Sequence, residues 1–398
     1  MRVHVTLRLG ILAMVASTAT AQNDLAERAR QIHAEAFVMD THTDTTTKFE
    51  DPEWDFAERH KEGHVDLPRL REGGYKAVFW AIYMGKTPGD GKAVKTALKR
   101  IDSVHEMIRR FPGDLMLATT AAHIRAAAAQ NKIACLMGVE GGHIIEDELA
   151  VLRMYHQLGV RYMTLTHSFN TNWADSSGTG LPVEPEHNGL SDFGKEVVVE
   201  MNRLGMMVDV SHVADSTLWD ALEVSQAPLL ASHSSCRALA DHPRNMSDKM
   251  IRAMAKRGGV IQINFYTGYI DPEKISLAVK LRPKIAEIRK KYADDPKKGS
   301  QERRRLYRET FSKETPASIV VDHIEHVIKI AGPGHVGLGA DWDGVSQVPA
   351  GLEDCSKVIY ITEEMLERGH DDATIKMVLG GNMLRLMEEV EETAASMR

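Results

Sequence analysis

His42 and Asp44 stand two residues apart in Met39-Asp40-Thr41-His42-Thr43-Asp44, at the end of a short apolar run. On extended backbone, side chains two apart face the same way, so an imidazole and a carboxylate converge as they would to hold one divalent ion. A surface histidine beside an acid has the same signature, so the pair needs company. Glu140 ends a second apolar run and is followed by Gly141-Gly142-His143. An unpaired carboxylate there is costly to bury. Two cations sharing it remove that cost, a salt bridge or a helix cap would reduce it, and the glycines let backbone approach closely. Three further runs end in Thr166-His167, Ser211-His212 and Ser232-His233, and a last one in Ala340-Asp341-Trp342-Asp343-Gly344. One histidine at a strand end is unremarkable. Three in succession, with Glu140 and the His-x-Asp pair, are more than a core requires.

These residues suffice for a two-ion site. His42, Asp44 and Asp341 hold one ion in this reading, His212 and His233 the other, and Glu140 bridges them. Nitrogen and oxygen ligands without thiolate suit zinc, with manganese and cobalt as alternatives. Paired ions lower the pKa of a bridging water and polarise a carbonyl, which is the chemistry of a hydrolase.

The elements that must position these groups follow from the rhythm of the chain. Apolar, β-rich runs are Phe37–Asp40, Ala77–Tyr83, Ile133–Glu140, Tyr162–Thr166, Met206–Val210, Leu229–Ser232, Val260–Asn264 and Val336–Ala340. Amphipathic stretches such as Val94–Arg110 and Asp192–Leu204 alternate with them. Strands alternating with helices imply βαβ units and a parallel sheet. Eight of them in one chain favour a closed (β/α)8 TIM barrel, whose chemistry gathers on the C-terminal rim. No G-x-G-x-x-G follows the first strand, which speaks against a dinucleotide-binding open sheet. The charged stretch Ile270–Thr315 is too long for a βα loop and reads as a solvated helical insertion, leaving open a lid or a homodimer contact.

Arg2 and Arg8, the apolar Ile11–Ala16 and Ala19-Thr20-Ala21 have the form of a signal peptide over residues 1–21, ending before Gln22. Residues 22–398 then form a single exported, periplasmic or secreted, barrel domain. Cleavage takes the formal charge from −7 to −9. Without a basic footprint, nucleic acid is not the expected partner. No other run approaches a membrane span, and the polar C-terminus carries no lipid-anchor signal. Three cysteines, Cys135, Cys236 and Cys355, do not make a disulfide framework.

The chain resembles the renal (membrane) dipeptidase family, a group of metal-dependent amidohydrolase-type barrels, from Asp40 almost to its end. The stretches that carry the resemblance are Asp40–Asp44, Val139–His143, Tyr162–Asn170, Trp173-Ala174-Asp175, Asp209–His212, Ser232–Ser235, Arg244-Asn245, Asn264-Phe265-Tyr266 and Asp341–Gly344. The resemblance implies zinc ligands at His42, Asp44, His212 and His233, with Glu140 bridging. It implies that Asp341 orients the water and shuttles its proton, and that His167 contacts the tetrahedral oxyanion. Arg244 would grip the substrate's C-terminal carboxylate, with Tyr266 nearby; from the residues alone Arg244 reads as a surface arginine. Phe169 and Ala240 stand where animal members have disulfide cysteines, the membrane-anchor signal is missing and Ile270–Thr315 is much longer. Membrane attachment and disulfide-linked dimers are therefore not implied.

The expectation is a dipeptidase with two zinc ions per chain, acting on L-Xaa-L-Xaa or L-Xaa-D-Xaa with a metal-bridging water. A two-ion amidohydrolase of N-acyl amino acids is the alternative, since both substrates end in a free carboxylate. A binding protein that has lost turnover should lack Glu140, Asp341 or His167, and all three are present.

Overall fold

The computed structural model describes residues 24–86, 90–180, 183–311 and 313–398, with side chains at all of these except 296, 304, 307 and 308. The leader read over residues 1–21 lies outside the described residues. Nine strands form one parallel sheet: β1 (Met39–Thr43), β2 (Ala77–Tyr83), β3 (Leu115–Leu117), β4 (Ile133–Glu140), β5 (Val160–Thr164), β6 (Met207–Asp209), β7 (Leu230–Ser234), β8 (Val260–Ile263) and β9 (Val336–Leu338). Their order is β1-β2-β4-β5-β6-β7-β8-β9, with β3 paired only to β4. β3 runs beside Ile133–Cys135 and β5 beside Met137–Glu140, so the two share one edge of β4. The eight strands on the main path form the nearly closed barrel with surrounding helices.

Period-two patterning accounts for the two sides of its wall. Val78, Trp80 and Ile82 of β2 pack outward with Ile133, Cys135, Met137 and Val139 of β4, against the helices. Ala77 and Phe79 join Met39, Ala134, Leu136, Tyr162, Met207, Leu230 and Val260 in the interior. Met383, Leu386, Met387 and Val390 from the helix Asn382–Ser396 plug the end where the strands begin. The outer helix Lys92–Arg110 buries Ala93, Ala97, Ile101, Val104 and Met107, the single stripe that helical spacing gives. Ser191 and Ser247 cap their helices by accepting from the amides of Gly194 and Met250, which satisfies otherwise orphaned donors.

Between β1 and β9 there is no ladder. A single parallel bridge joins Thr43 to Trp342, where Asp44 N donates to Trp342 O at 2.8 Å. Side chains supply the rest: Ala340 N donates to Asp40 Oδ2 at 3.1 Å, and Thr41 Oγ1 shares its proton between Ser232 O at 2.6 Å and Leu338 O at 3.1 Å.

Some boundaries differ from the sequence reading in ways that matter. β1 runs on to Thr43 and β7 to Ser234, so His42 and His233 lie on strands rather than after them. β5 begins at Val160 and stops at Thr164, leaving His167 in the following loop. Residues 24–35 add a helix before β1. The stretch after β8 folds into the helices Pro272–Lys291 and Pro296–Thr310. Its base is tied: Lys274 Nζ donates to Phe311 O at 3.1 Å, and Thr315 Oγ1 to Asp271 Oδ2 at 2.5 Å.

Candidate metal centre

The rim residues converge on Glu140, which ends β4 and is 4% exposed. Around its Oε1 stand four imidazole Nε2 atoms: His212 at 3.1 Å, His233 at 3.4 Å, His42 at 3.5 Å and His167 at 3.7 Å. His212 Nε2 and His233 Nε2 are 2.8 Å apart. On the other side of His42, Nε2 lies 3.5 Å from Asp44 Oδ2, and Asp44 and Asp341 stand together. Ligand atoms fall within 4.8 Å of one another in three groups: His42, Asp44 and Asp341; His42, Glu140 and His233; Glu140, His167 and His212. His42 and Glu140 thus each belong to two groups, and His167 stands closer to the cluster than an oxyanion contact alone requires.

His212 and Asp341 hold positive φ, at 66° and 64°. Residues with a Cβ rarely take this conformation, and such strain gathers at functional sites. Gly344 leaves the space behind the acids open. A Cβ there would lie 2.2 Å from Asp44 Oδ2 and 2.3 Å from Asp341 Oδ1.

The electrostatics are those of side chains awaiting a cation. Burial opposes the charge of Glu140, but the imidazoles around it, His42 and His167 foremost, hold it well below the usual carboxylate range. Burial holds His212 and His233 well below the usual histidine range, helped by Arg244, so both are neutral with a lone pair to offer. Burial pulls His42 down too, yet Tyr162, Glu140 and Asp44 raise it well above that range. Burial pushes Asp341 up to about 7, with His42 opposing and Asp44 and Glu140 adding to the rise. His42 Nε2 and Asp44 Oδ1 are buried without hydrogen-bond partners among the described residues. Buried polar atoms rarely stay unsatisfied. Nitrogen and oxygen donors in this arrangement fit divalent metal ions.

A buried arginine adjoins the cluster. Arg244 is 3% exposed. Its Nη2 donates to His233 O at 3.0 Å, and its guanidinium lies 5.4 Å from the Tyr269 ring. Its Nε is buried with no hydrogen-bond partner among the described residues. Tyr266 meets Tyr269 edge-on at 4.7 Å, so Tyr269, not singled out from the sequence, stands between Tyr266 and Arg244. Across the cluster, His167 packs 4.8 Å from the Tyr83 ring. Ser168 Oγ lies 3.0 Å from His167 Nδ1. With that hydroxyl donating, the His167 proton sits on Nε2 and faces the cluster.

Other participants escaped the sequence reading. Asn264 donates to Asp341 Oδ2 at 3.0 Å. Tyr162, Asp209 and Ser232 lie beneath the histidines, and only the motif patterning around them gave a signal. The three cysteines are free and buried.

A parallel barrel with imidazoles and carboxylates gathered round a buried glutamate on its C-terminal rim defines a metal-dependent hydrolase. The membrane dipeptidase family model matches residues 26–398; the chain belongs to that family and is a metallo-dipeptidase. It is 37% identical over 343 residues to the dipeptidase aclJ of Aspergillus oryzae, covering 84% of this chain and 72% of that one. Among solved structures it is similar to the probable dipeptidase PvdM from Pseudomonas aeruginosa. The TM-score is 0.81 at 26% identity, over 94% of this chain and all of the other. It is also similar to the dipeptidase AC, a metallopeptidase, with a TM-score of 0.73 at 25% identity, over 88% of this chain and 98% of that one. Among the described residues, no helix is long and apolar enough to cross a membrane.

Proposed function

We propose that the protein hydrolyses dipeptides with a free C-terminal carboxylate, L-Xaa-L-Xaa or L-Xaa-D-Xaa, using two zinc ions per chain. His42, Asp44 and Asp341 would hold one ion, His212 and His233 the other, and Glu140 both. When bound, the ions supply Lewis acidity: they make water acidic enough to attack at neutral pH and polarise the scissile carbonyl. The observation that carries this reading is the crowding of four imidazole Nε2 atoms within 3.7 Å of one buried Glu140 oxygen.

The remaining steps belong to the chain's own groups. Asp341 takes a proton from the attacking water and hands it to the leaving amine, the exchange expected of a positioned general base. Asn264 keeps Oδ2 in place, so the proton moves at the other oxygen. His167 Nε2–H donates to the carbonyl oxygen as negative charge develops there. Arg244, with Tyr266 and Tyr269 beside it, pairs with the C-terminal carboxylate, which limits the substrate to one amide bond beyond the anchor.

Residues 1–21 serve as an export signal, so the mature chain should begin near Gln22. Amino-terminal sequencing of secreted or periplasmic material tests this. The activity is tested by assaying zinc-reconstituted protein on L,L- and L,D-dipeptides beside N-acyl amino acids. Preference for dipeptides supports the reading, whereas preference for N-acyl amino acids transfers it to another amidase.

A further inference from the structure

Two of the cluster's histidines are anchored by the same device. His42 Nδ1 lies 2.8 Å from Tyr162 Oη, and that hydroxyl donates its only proton to Thr41 O at 3.0 Å. Toward His42 it can therefore only accept, so Nδ1 carries the proton and Nε2 faces the metal centre. His233 Nδ1 lies 2.8 Å from Ser232 Oγ, which in turn donates to Asp209 Oδ2 at 2.6 Å. Asp209 is fully buried on β6. It also accepts from Thr164 Oγ1 at 2.5 Å, Ser211 N at 3.0 Å and Ser232 N at 2.8 Å. With its acceptor positions taken up by four donors, it draws the Ser232 proton away from His233. His233 must then donate through Nδ1 as well.

Both chains are built into the barrel. The Tyr162 ring crosses the interior over Gly138, where a Cβ would lie 1.9 Å from the ring. Residues from β1, β4 and β5 are thereby committed to one hydrogen bond on His42. Asp209, Ser232 and Thr164 do the same for His233 from β6, β7 and β5. His212 differs: its Nδ1 is buried with no partner among the described residues, and its backbone holds a φ of 66°. The rings of His42 and His233 are thus held by relayed hydroxyls, whereas His212 is tied through its carbonyl, which accepts from Thr166 Oγ1 at 3.0 Å and Ser177 N at 2.8 Å.

We infer that Tyr162 and the Ser232–Asp209 pair are positioning residues that lock His42 and His233 as Nδ1–H tautomers, each preorganising the binding of a different one of the two metal ions. The inference rests on the two-ion assignment proposed above, in which His42 and His233 serve separate ions. Groups of this kind fix ring orientation and ligand basicity, and their loss typically weakens metal binding 10- to 100-fold.

The test is zinc binding to the full chain, by competition against a chromophoric chelator, in the native protein, Tyr162→Phe and Ser232→Ala. Each substitution removes one oxygen atom. Each should weaken one of the two zinc dissociation constants by about 10- to 100-fold and leave the other unchanged, and the double variant should weaken both. In ¹⁵N-histidine spectra of the zinc-loaded native protein, His42 and His233 should each show a protected Nδ1–H, and each variant should lose one of these. If the native chain takes up two ions and both variants bind zinc as it does, the positioning roles are overturned. A native chain that takes up fewer than two ions overturns the two-ion assignment instead. Should a variant fail to fold, the native spectrum decides, because Nε2–H signals from His42 or His233 would refute the lock.

Discussion

Asn264 donates an amide proton to Asp341 Oδ2 across 3.0 Å, from the residue next to the end of β8 to the loop after β9. One carboxylate oxygen is thereby occupied and the other left beside Asp44. Its own oxygen is used too: Asn264 Oδ1 accepts from Tyr266 N at 2.5 Å. A single amide thus sets the register between Asp341 and the backbone of Tyr266.

Asp341→Asn keeps the shape of that contact and removes the exchangeable proton. kcat should fall by about 10²–10⁴, the range for a positioned general base, with most of the metal retained. A steady-state assay beside metal analysis checks it. A fall below about tenfold, set against that same range, assigns the proton transfer to another group.

Glu140→Ala removes the one side chain that all four imidazoles face. Purified native protein should carry about two divalent ions per chain, and the variant should lose at least one of them along with most of its activity. Elemental analysis of the two proteins, prepared identically, decides the matter. Full metal content with normal turnover in the variant would remove Glu140 from the centre.

Gly344→Ala probes space rather than chemistry. The added methyl would lie 2.2 Å from Asp44 Oδ2 and 2.3 Å from Asp341 Oδ1, so both carboxylates must shift. Metal content and kcat should drop together while the far-UV dichroism of the barrel stays native. Unaltered metal content would show that the acids have room to move.

Arg244→Met should cost the enzyme a charge-assisted pair, worth roughly 1.5–3 kcal/mol. The loss in kcat/KM should be larger for a free-acid dipeptide than for its C-terminal amide. If the native enzyme already takes the amide equally well, the anchor lies elsewhere.

Stability at acid pH has a contributor far from the metal. Glu200 is held below its usual 4.5 by hydrogen bonds from Arg203, then Arg153, against the effect of burial. It joins the helices Leu149–Gln157 and Asp192–Leu204, with contacts of 2.7 Å to Arg203 and 3.2 Å to Arg153. A carboxyl depressed in the folded state adds stability above its unfolded pKa and loses it as pH falls through the folded one. Glu200→Gln should therefore be less stable at pH 7 by about 0.5–1 kcal/mol, as for other surface ion pairs. The gap should close once the pH lies below both values. Parallel urea titrations of the two proteins, each stripped of metal by chelation, measure it.

Much of the cluster was legible because its side chains sit where apolar runs stop, and a parallel barrel carries every such stop to one rim. His42 with Asp44, Glu140, His212, His233 and Asp341 all follow from that rule. Tyr162 did not, because it lies inside β5 as an ordinary member of an apolar pattern, and Asp209, though it ends β6, gave no local sign that it serves His233 through Ser232. The partner of Tyr162 is 120 residues away in sequence, and no local spacing encodes that distance. β3, with three residues, is too short to show a period. The helix Ala121–Ala129 buries only Ala121, Ile124 and Ala127, a stripe too small in volume to stand out from an alanine run.

The way β1 meets β9 has a mechanical consequence. This seam carries no backbone ladder and is laced by Asp40, Thr41 and one bridge at Thr43 and Trp342. His42, Asp44 and Asp341, which straddle it, are the residues proposed to face metal. A cation gripped from both margins would act as a buckle, closing a stave that the bare barrel leaves without a ladder. Turnover and resistance to unzipping would then share a single fastening, and wear at that point would be felt in both.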